Sequence, residues 1–324
     1  MCSEASVPLI MSSPLPQTDS HVELTLLAGG SFTATANFLH AGAAATPFTM
    51  FNWAFHISHP SGRQIVWDVG NTSNPDDYTP WVRQHMFPLG PFAPPEPIEQ
   101  QIKRRTGVPP EGVDTVIFSH AHWDHCRPIR ALFPRATGYF GPGTAEFCGA
   151  GHFSATGEEL ADVPWDGNFF HPEHRTESWE ALRGPWKRFG PFERAMDFLG
   201  DGTMWVIQAP GHMGGNLACA VRIEGGEWVL LASDCCHSRG LLEGKYDIAT
   251  WCNPDGSQGA LHVDIPAAKD TMAKLRVLRG MGVHLALAHD VSWVEEGTDP
   301  VLMGLLDQDL KEWVEEGLKT GRLP

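Results

Sequence analysis

Positive charge is scarce in this chain. Its 23 Lys and Arg face 39 Asp and Glu, a formal net charge of -16, so the surface repels phosphate backbones rather than gathering them. A nucleic-acid partner is not expected. Long apolar runs are lacking too: no stretch of about 18 apolar residues is present, which argues against a membrane partner. The opening MCSEASVPLIMSSPLPQTDS has no basic segment followed by a long apolar one and does not read as a signal peptide. Cysteine follows no framework. The seven residues Cys2, Cys126, Cys148, Cys219, Cys235, Cys236 and Cys252 are odd in number and irregular in spacing, which suits free thiols in a reducing compartment. These absences lead to an expectation of a cytoplasmic protein. With 42% hydrophobic and 19% charged residues, the composition is that of a packed globular chain.

The pattern along the chain divides into two strand-rich halves, each closed by helices. Residues 1–20 are rich in Ser and Pro without a period and read as an irregular arm; residues 21–324 read as one domain. The first half offers VELTLLAGG, FTMFNWAFHISHP and RQIVWDVGN as strands, then a long loop from Pro75 to Pro97 with room for one short helix, a helix in PIEQQIKRRTG and a short buried strand in VDTVIFSH. An irregular insertion is expected at about residues 150–190. The second half offers ERAMDFLG, TMWVIQAPGH, NLACAVRI and EWVLLASD, separated by turn dipeptides, as antiparallel strands. A helix in PAAKDTMAKLRVLRGMG, a strand in VHLALAHD and one terminal amphipathic helix around DPVLMGLLDQDLKEWVEEG complete it. This order predicts an α/β protein in which two sheets pack together with helices outside.

The segment SHAHWDHC concentrates ligand-type side chains. His120, His122, Asp124 and His125 fall within six residues directly after an apolar strand, and imidazole and carboxylate are natural donors for zinc and similar ions. Strand-like alternation would put His120, His122 and Asp124 on one side. Adjacent Asp124 and His125 would then diverge, serving two neighbouring ions better than one. Three more candidates sit at strand ends: His212 in PGH after WVIQA, Asp234 in ASD after WVLLA, and His289 in AHD after LALA. Cys235, Cys236 and Cys126 adjoin ligands, but neighbouring side chains diverge and are not expected to bind.

At this point the chain resembles the metallo-β-lactamase superfamily, whose HxHxDH signature and later ligands it matches in order from about residue 22 to 292. The resemblance implies a four-layer αβ/βα sandwich with two divalent ions, most simply Zn2+, at the sheet edge. It assigns His120, His122 and His212 to the first ion and Asp124, His125 and His289 to the second, with Asp234 bridging. Asp68, ending IVWDVG, stands where the family orients a ligand histidine from behind. The chain looks most like the acyl-homoserine lactonase-like branch that opens lactone or lactam rings. One position departs: that branch commonly has tyrosine three residues after the bridging aspartate, and here it is His237.

The expected activity is therefore that of a dinuclear metal-dependent hydrolase in which a bridging hydroxide opens a cyclic ester, amide or carbamate of a small, partly apolar molecule. Asp124 would carry the proton to the leaving group, and His237 would donate a hydrogen bond to the substrate carbonyl or oxyanion. Loops at residues 38–53, 81–95 and 150–190 are expected to form an apolar cover over the metals. A thioesterase resembling glyoxalase II shares the ligands and is the alternative, although the only basic cluster is KRR at 103–105. Lactonases of the resembling branch include dimers, which admits a homodimer.

Overall fold

The computed structural model describes residues 12–323. Part of the expected N-terminal arm, residues 1–11, and Cys2 with it, lies outside the described residues. Residues 12–21 run without helix or strand into the first sheet. That sheet comprises β1 (Glu23–Thr35), β2 (Pro47–Ser58), β3 (Gln64–Trp67), β4 (Thr115–Ile117), β5 (Thr137–Phe140) and β6 (Trp179–Ala181), in that spatial order. Its first three strands pair antiparallel and the next three add in parallel. The second sheet runs through β7 (Lys187–Phe189), β8 (Phe192–Asp197), β9 (Met204–Gln208), β10 (Leu217–Arg222) and β11 (Trp228–Ser233), all antiparallel. After a small hairpin of β12 (Trp251–Cys252) and β13 (Gln258–Gly259), β14 (His284–Leu287) joins β11 in parallel.

Period-two patterning explains the layers. In β2, Phe51, Trp53, Phe55 and Ile57 point between the sheets, while the alternate Ala54 packs outward. In β10, Leu217, Cys219 and Val221 meet them from the second sheet, and Ala218 and Ala220 face out. Both faces are buried, so these strands are largely apolar rather than alternating with exposed polar residues, with Asn52 and His56 as buried polar members of β2. Helices cover the outer faces: Ile98 and Ile102 of one helix (Ile98–Thr106) lie on the first sheet, and Ala268, Met272, Leu275 and Leu278 of another (Ile265–Gly280) on the second. The result is the helix, sheet, sheet, helix stack expected from the sequence.

Two local expectations need correction. Residues 38–53 are not one loop. A helical turn (Ala36–Leu39) leads through a short connection into β2, because the alternating apolar residues from Phe48 to Trp53 have a partner strand in β1. The terminal helix is interrupted rather than continuous. One short helix (Pro300–Gly304) stops, and Asp307 caps a new one (Gln308–Thr320) by accepting from Leu310 N–H at 2.9 Å. Their apolar faces still close the end of the inter-sheet core, with Leu310 and Val314 buried and Trp313 edge-on to Phe51 and Trp53. Among the described residues no helix is long and apolar enough to cross a membrane.

Candidate metal centre

The ends of four buried strands deliver ligand-type side chains to one edge of the two sheets. After β4, Ser119 and His120 remain extended, and then the chain coils: the N–H groups of His125 and Cys126 both donate to His122 O, at 3.0 and 2.8 Å. This turn overturns the expected divergence of Asp124 and His125. A coil, unlike a strand, can aim neighbours at a common point, and Asp124 Oδ2 lies 3.5 Å from His125 Nε2. His212 follows β9, Asp234 follows β11, and His289 follows β14.

Two donor sets result. His120 Nε2, His122 Nδ1 and His212 Nε2 lie 2.8 to 3.2 Å from one another. Asp234 Oδ2 completes this set, 3.3 Å from His212 Nε2 and 3.6 Å from His120 Nε2. On the other side, Asp234 Oδ1 lies 3.3 Å from His125 Nε2 and 3.1 Å from His289 Nε2, and His289 Nε2 is 3.5 Å from Asp124 Oδ2. Tetrahedral ligands at zinc bond lengths stand roughly 3.3 to 3.6 Å apart; the Asp234 contacts, at 3.1 to 3.6 Å, come near that spacing, while the three imidazole nitrogens of the first set stand closer. Two atoms point to a cation: His125 Nε2 and Asp234 Oδ1 are buried, face each other and have no hydrogen-bond partner among the described residues. Buried polar atoms without partners are rare, and a cation would satisfy both. The residues present fit divalent metal.

Behind the donors, one carboxylate sets two imidazoles. Asp68 accepts from Ser119 N–H (2.7 Å), Ser119 Oγ–H (2.7 Å) and His125 Nδ1–H (2.9 Å). Ser119 Oγ also accepts from His120 Nδ1–H (2.9 Å) and Ser233 Oγ–H (2.6 Å). Both histidines are thereby left with a bare Nε2 facing inward, the form a cation requires. His289 achieves the same by donating Nδ1–H to Phe51 O at 2.6 Å. Asp68 and Ser233 have positive φ of 57° and 47°, a left-handed backbone uncommon for non-glycine residues. That strain falls on the residue supporting two ligands and on the residue preceding Asp234.

Charge follows the same geometry. Burial pushes the Asp124 and Asp234 carboxyls up, but the surrounding histidines outweigh it and hold both below the ordinary range. Burial lowers His120 strongly and takes His122 to about 3. For His125 and His289, burial is outweighed by Asp234 and Asp124, and both are raised. The floor is a compact array of carboxylates and imidazoles, and above it opens a cavity of about 660 Å³.

The cavity wall is almost wholly apolar. Phe32, Met50, Trp81, Trp123, Trp165 and Trp251 contribute its larger side chains. All three segments expected to cover the site contribute, through Phe38, Leu39 and Met50, through residues from Trp81 to Leu89, and through Pro164 and Trp165. The KRR cluster does not line it: Arg104 pairs with Glu96 and Asp309, and Arg105 with Asp307.

No protein-family profile matches the chain. A metallo-hydrolase, mfmC, of Annulohypoxylon moriforme is 29% identical over 196 residues, covering 59% of this chain and 49% of the relative. The gamma-lactamase FDB1 of Fusarium pseudograminearum is 26% identical over 202 residues, 58% of this chain and 46% of the relative. A solved N-acyl homoserine lactone hydrolase, holding the product N-hexanoyl-L-homoserine at its catalytic metal center, superposes with a TM-score of 0.61 over 86% of this chain and 96% of its own, at 15% identity. Both the sheet order and the relatives agree with the ligand motif. The chain has the metallo-β-lactamase fold and is similar to these hydrolases. It spans about half the length of the curated relatives it matches.

Against that superfamily pattern, all seven expected ligand residues come together, with Asp68 behind them. His237 is buried at the floor, its Nε2 3.3 Å from Asp234 Oδ2. Cys235 and Cys236 turn away, the first accepting from Asn216 Nδ2 and the second donating to Ser238 O. One histidine was not anticipated. His262 is buried beside His237, its Nε2 3.2 Å from His237 Nδ1. Its segment, ALHVD, has neither strand nor ligand spacing. The only available signal was Asp264 as a helix cap, which fixes the chain two residues later. Trp123, Trp251 and Leu261, which no motif marks, also line the cavity.

Proposed function

We propose that this protein is a metal-dependent hydrolase that opens a cyclic ester, amide or carbamate ring of a small, largely apolar molecule, with two divalent ions, zinc by preference, as cofactor. One observation carries the reading: Asp234 turns one oxygen to each of two histidine-rich donor sets, at the bottom of an apolar cavity. His120, His122 and His212 would hold the first ion, Asp124, His125 and His289 the second, and Asp234 both. When bound, such a pair supplies Lewis acidity toward a carbonyl and lowers the pKa of water toward neutrality. The lactone and lactam hydrolases among the relatives favour ring opening over other hydrolyses.

The chain's own groups divide the remaining work. Aromatic and aliphatic side chains of the wall bind the apolar part of the substrate and exclude bulk water, which strengthens every polar interaction at the floor. Asp124 is held in its carboxylate form by His125 and His289 against the pull of burial, so it can accept a proton from the attacking water. It then returns that proton to the leaving oxygen or nitrogen. His237, buried at the floor with Nε2 3.3 Å from Asp234 Oδ2, would donate from Nε2 to the carbonyl oxygen as negative charge develops there. With no Lys or Arg in the cavity lining, nothing there would anchor an anionic carrier thioester, and a neutral ring is the better fit.

The test is elemental analysis of the purified protein together with proton release from a panel of lactones, lactams, cyclic carbamates and one thioester. Near two metals per chain and chelator-sensitive ring opening are expected. Turnover of the thioester alone would replace this reading by the thioesterase one, and a metal-replete protein inert on every substrate would remove it. Asp124→Asn should abolish most turnover; two metals and full turnover in that variant would exclude the proton-transfer role. Unchanged kcat and KM in His237→Ala would exclude the donor role.

A further inference from the structure

Beside the first donor set, His212, His237 and His262 each offer a ring nitrogen within 4.8 Å of the others. His212 is engaged with His120 and His122, whereas His237 and His262 belong to neither donor set. His237 is sandwiched between two contacts: Nε2 is 3.3 Å from Asp234 Oδ2, and Nδ1 is 3.2 Å from His262 Nε2. His262 Nδ1 is buried with no hydrogen-bond partner among the described residues.

These contacts determine where the protons sit. A carboxylate only accepts, so a His237 nitrogen that faces Asp234 with no cation between them, unlike those of His125 and His289, carries hydrogen. Nδ1 of His237 is then a bare lone pair, and only a donor at His262 Nε2 can satisfy it. The last atom in the chain, His262 Nδ1, is left bare, in agreement with its lack of a partner. In the opposite tautomer a lone pair on His237 Nε2 would face an anionic oxygen, an arrangement that electrostatics opposes.

The backbone holds His262 in this role. Val263 N–H donates to His212 O at 3.1 Å and Asp264 N–H to Gly211 O at 3.0 Å, so the loop presenting His212 also clamps His262. Gly211 is required there, since with φ of 131° a Cβ would lie 2.3 Å from Ala268 N. Asp264 then accepts from Ala267 N–H at 3.0 Å and starts the helix on the outer face of the second sheet. His262 is tied to the fold through backbone on both sides.

We propose that His262 is a positioning residue: its Nε2–H holds His237 in the tautomer whose Nε2–H points at the reaction centre. The inference rests on the reading of His237 as the donor to substrate, and it adds a requirement that reading does not contain. His262 acts through His237 and touches neither substrate nor metal.

The experiment uses the metal-loaded protein labelled with 15N-histidine, with His237→Ala to assign the resonance, alongside His262→Leu and His262→Gln. The Gln amide nitrogen can stand near the original Nε2 and restore a donor. Expected are an Nε2–H tautomer at His237 in the unmodified protein and in His262→Gln, and loss of a single tautomer in His262→Leu. In the Leu variant kcat for ring opening should fall roughly 10- to 100-fold with metal content unchanged, and Gln should restore much of it. An Nδ1–H tautomer with a metal-shifted Nε2 would make His237 a ligand and His262 an acceptor, overturning the proposal. So would an unaltered tautomer and kcat in His262→Leu. The underlying reading fails differently: the tautomer would stand as expected, but His237→Ala would turn over normally.

Discussion

The floor of the cavity is carried by the ends of buried strands, its wall largely by the segments between them. His120, His212, Asp234 and His289 each follow a strand whose residues are buried on both faces, so sheet register fixes their backbone. Hydrogen bonds to Ser119, Asp68 and Phe51 O then fix the rings of His120, His125 and His289. The wall uses side-chain contact instead, as in Phe38 edge-on to Trp251 at 5.1 Å and Phe32 against Trp123 at 5.2 Å. Much of it comes from short helices, turns and a two-residue hairpin strand. The difference teaches where each property resides. Reaction type belongs to the sheet edge, which the core holds in place; substrate choice belongs to segments that can change without disturbing that core.

The comparison is sharpest at Asp234. Replacing it by Asn removes the carboxylate shared by the two donor sets, so metal content should drop by at least one ion per chain. Ring-opening kcat/KM should fall roughly a thousandfold, on the order of 4 kcal/mol of transition-state stabilisation. Metal analysis and kinetics on the same preparation check both. Asp68→Asn tests the support beneath the floor. It leaves every donor in place but withdraws the anion that orients His125 and, through Ser119, His120; metal affinity should weaken about 10- to 100-fold. Competition with a chromophoric chelator reads this directly, and undiminished affinity would mean that backbone alone positions these rings.

The same division decides how much was legible in the sequence. The clustering of donor residues was readable because His120, His212, Asp234 and His289 each follow an apolar run, and a sheet brings its strand ends to one edge whatever the intervening segments do. The convergence of Asp124 and His125 was not, since strand alternation was extended across a turn closed by His122 O. His262 stayed hidden for a related reason: two backbone hydrogen bonds to Gly211 and His212, not any pattern of its own, bring it to the floor. The wall segments were identifiable as apolar and irregular, but which side chains face inward depends on loop packing. Phe32 and Met50 belong instead to the antiparallel pair β1 and β2, where they are register partners. The missed break before Asp307 shows the limit of helical periodicity, which continued across a point where a new cap begins.

The wall should respond to substitution in the opposite manner to the floor. Trp165→Ala removes a large ring that stacks on His122 at 5.6 Å and packs against Phe147 at 5.5 Å, but no ligand. KM for an apolar ring substrate should rise about tenfold, with metal content unchanged and kcat altered less than about threefold. A loss of metal in this variant would break the separation of wall from floor and assign Trp165 a part in holding His122.

His56 supplies the control for what a buried imidazole does without opposing donors. It lies in β2, fully buried, paired in register with Thr25 and Val66 and away from the cavity. Burial takes it down to about 4, well below its unfolded value. The sign follows from proton counts: between the two values the unfolded chain binds a proton that the folded chain refuses, so stability rises with pH there. The contribution is complete above the unfolded value and declines as pH falls toward the folded one. Urea unfolding of the metal-free protein should lose about 2 kcal/mol from this group between about pH 7.5 and pH 5, and His56→Leu should remove that increment. Equal pH dependence in the variant would mean that His56 takes up a proton as readily in the folded chain as in the unfolded one.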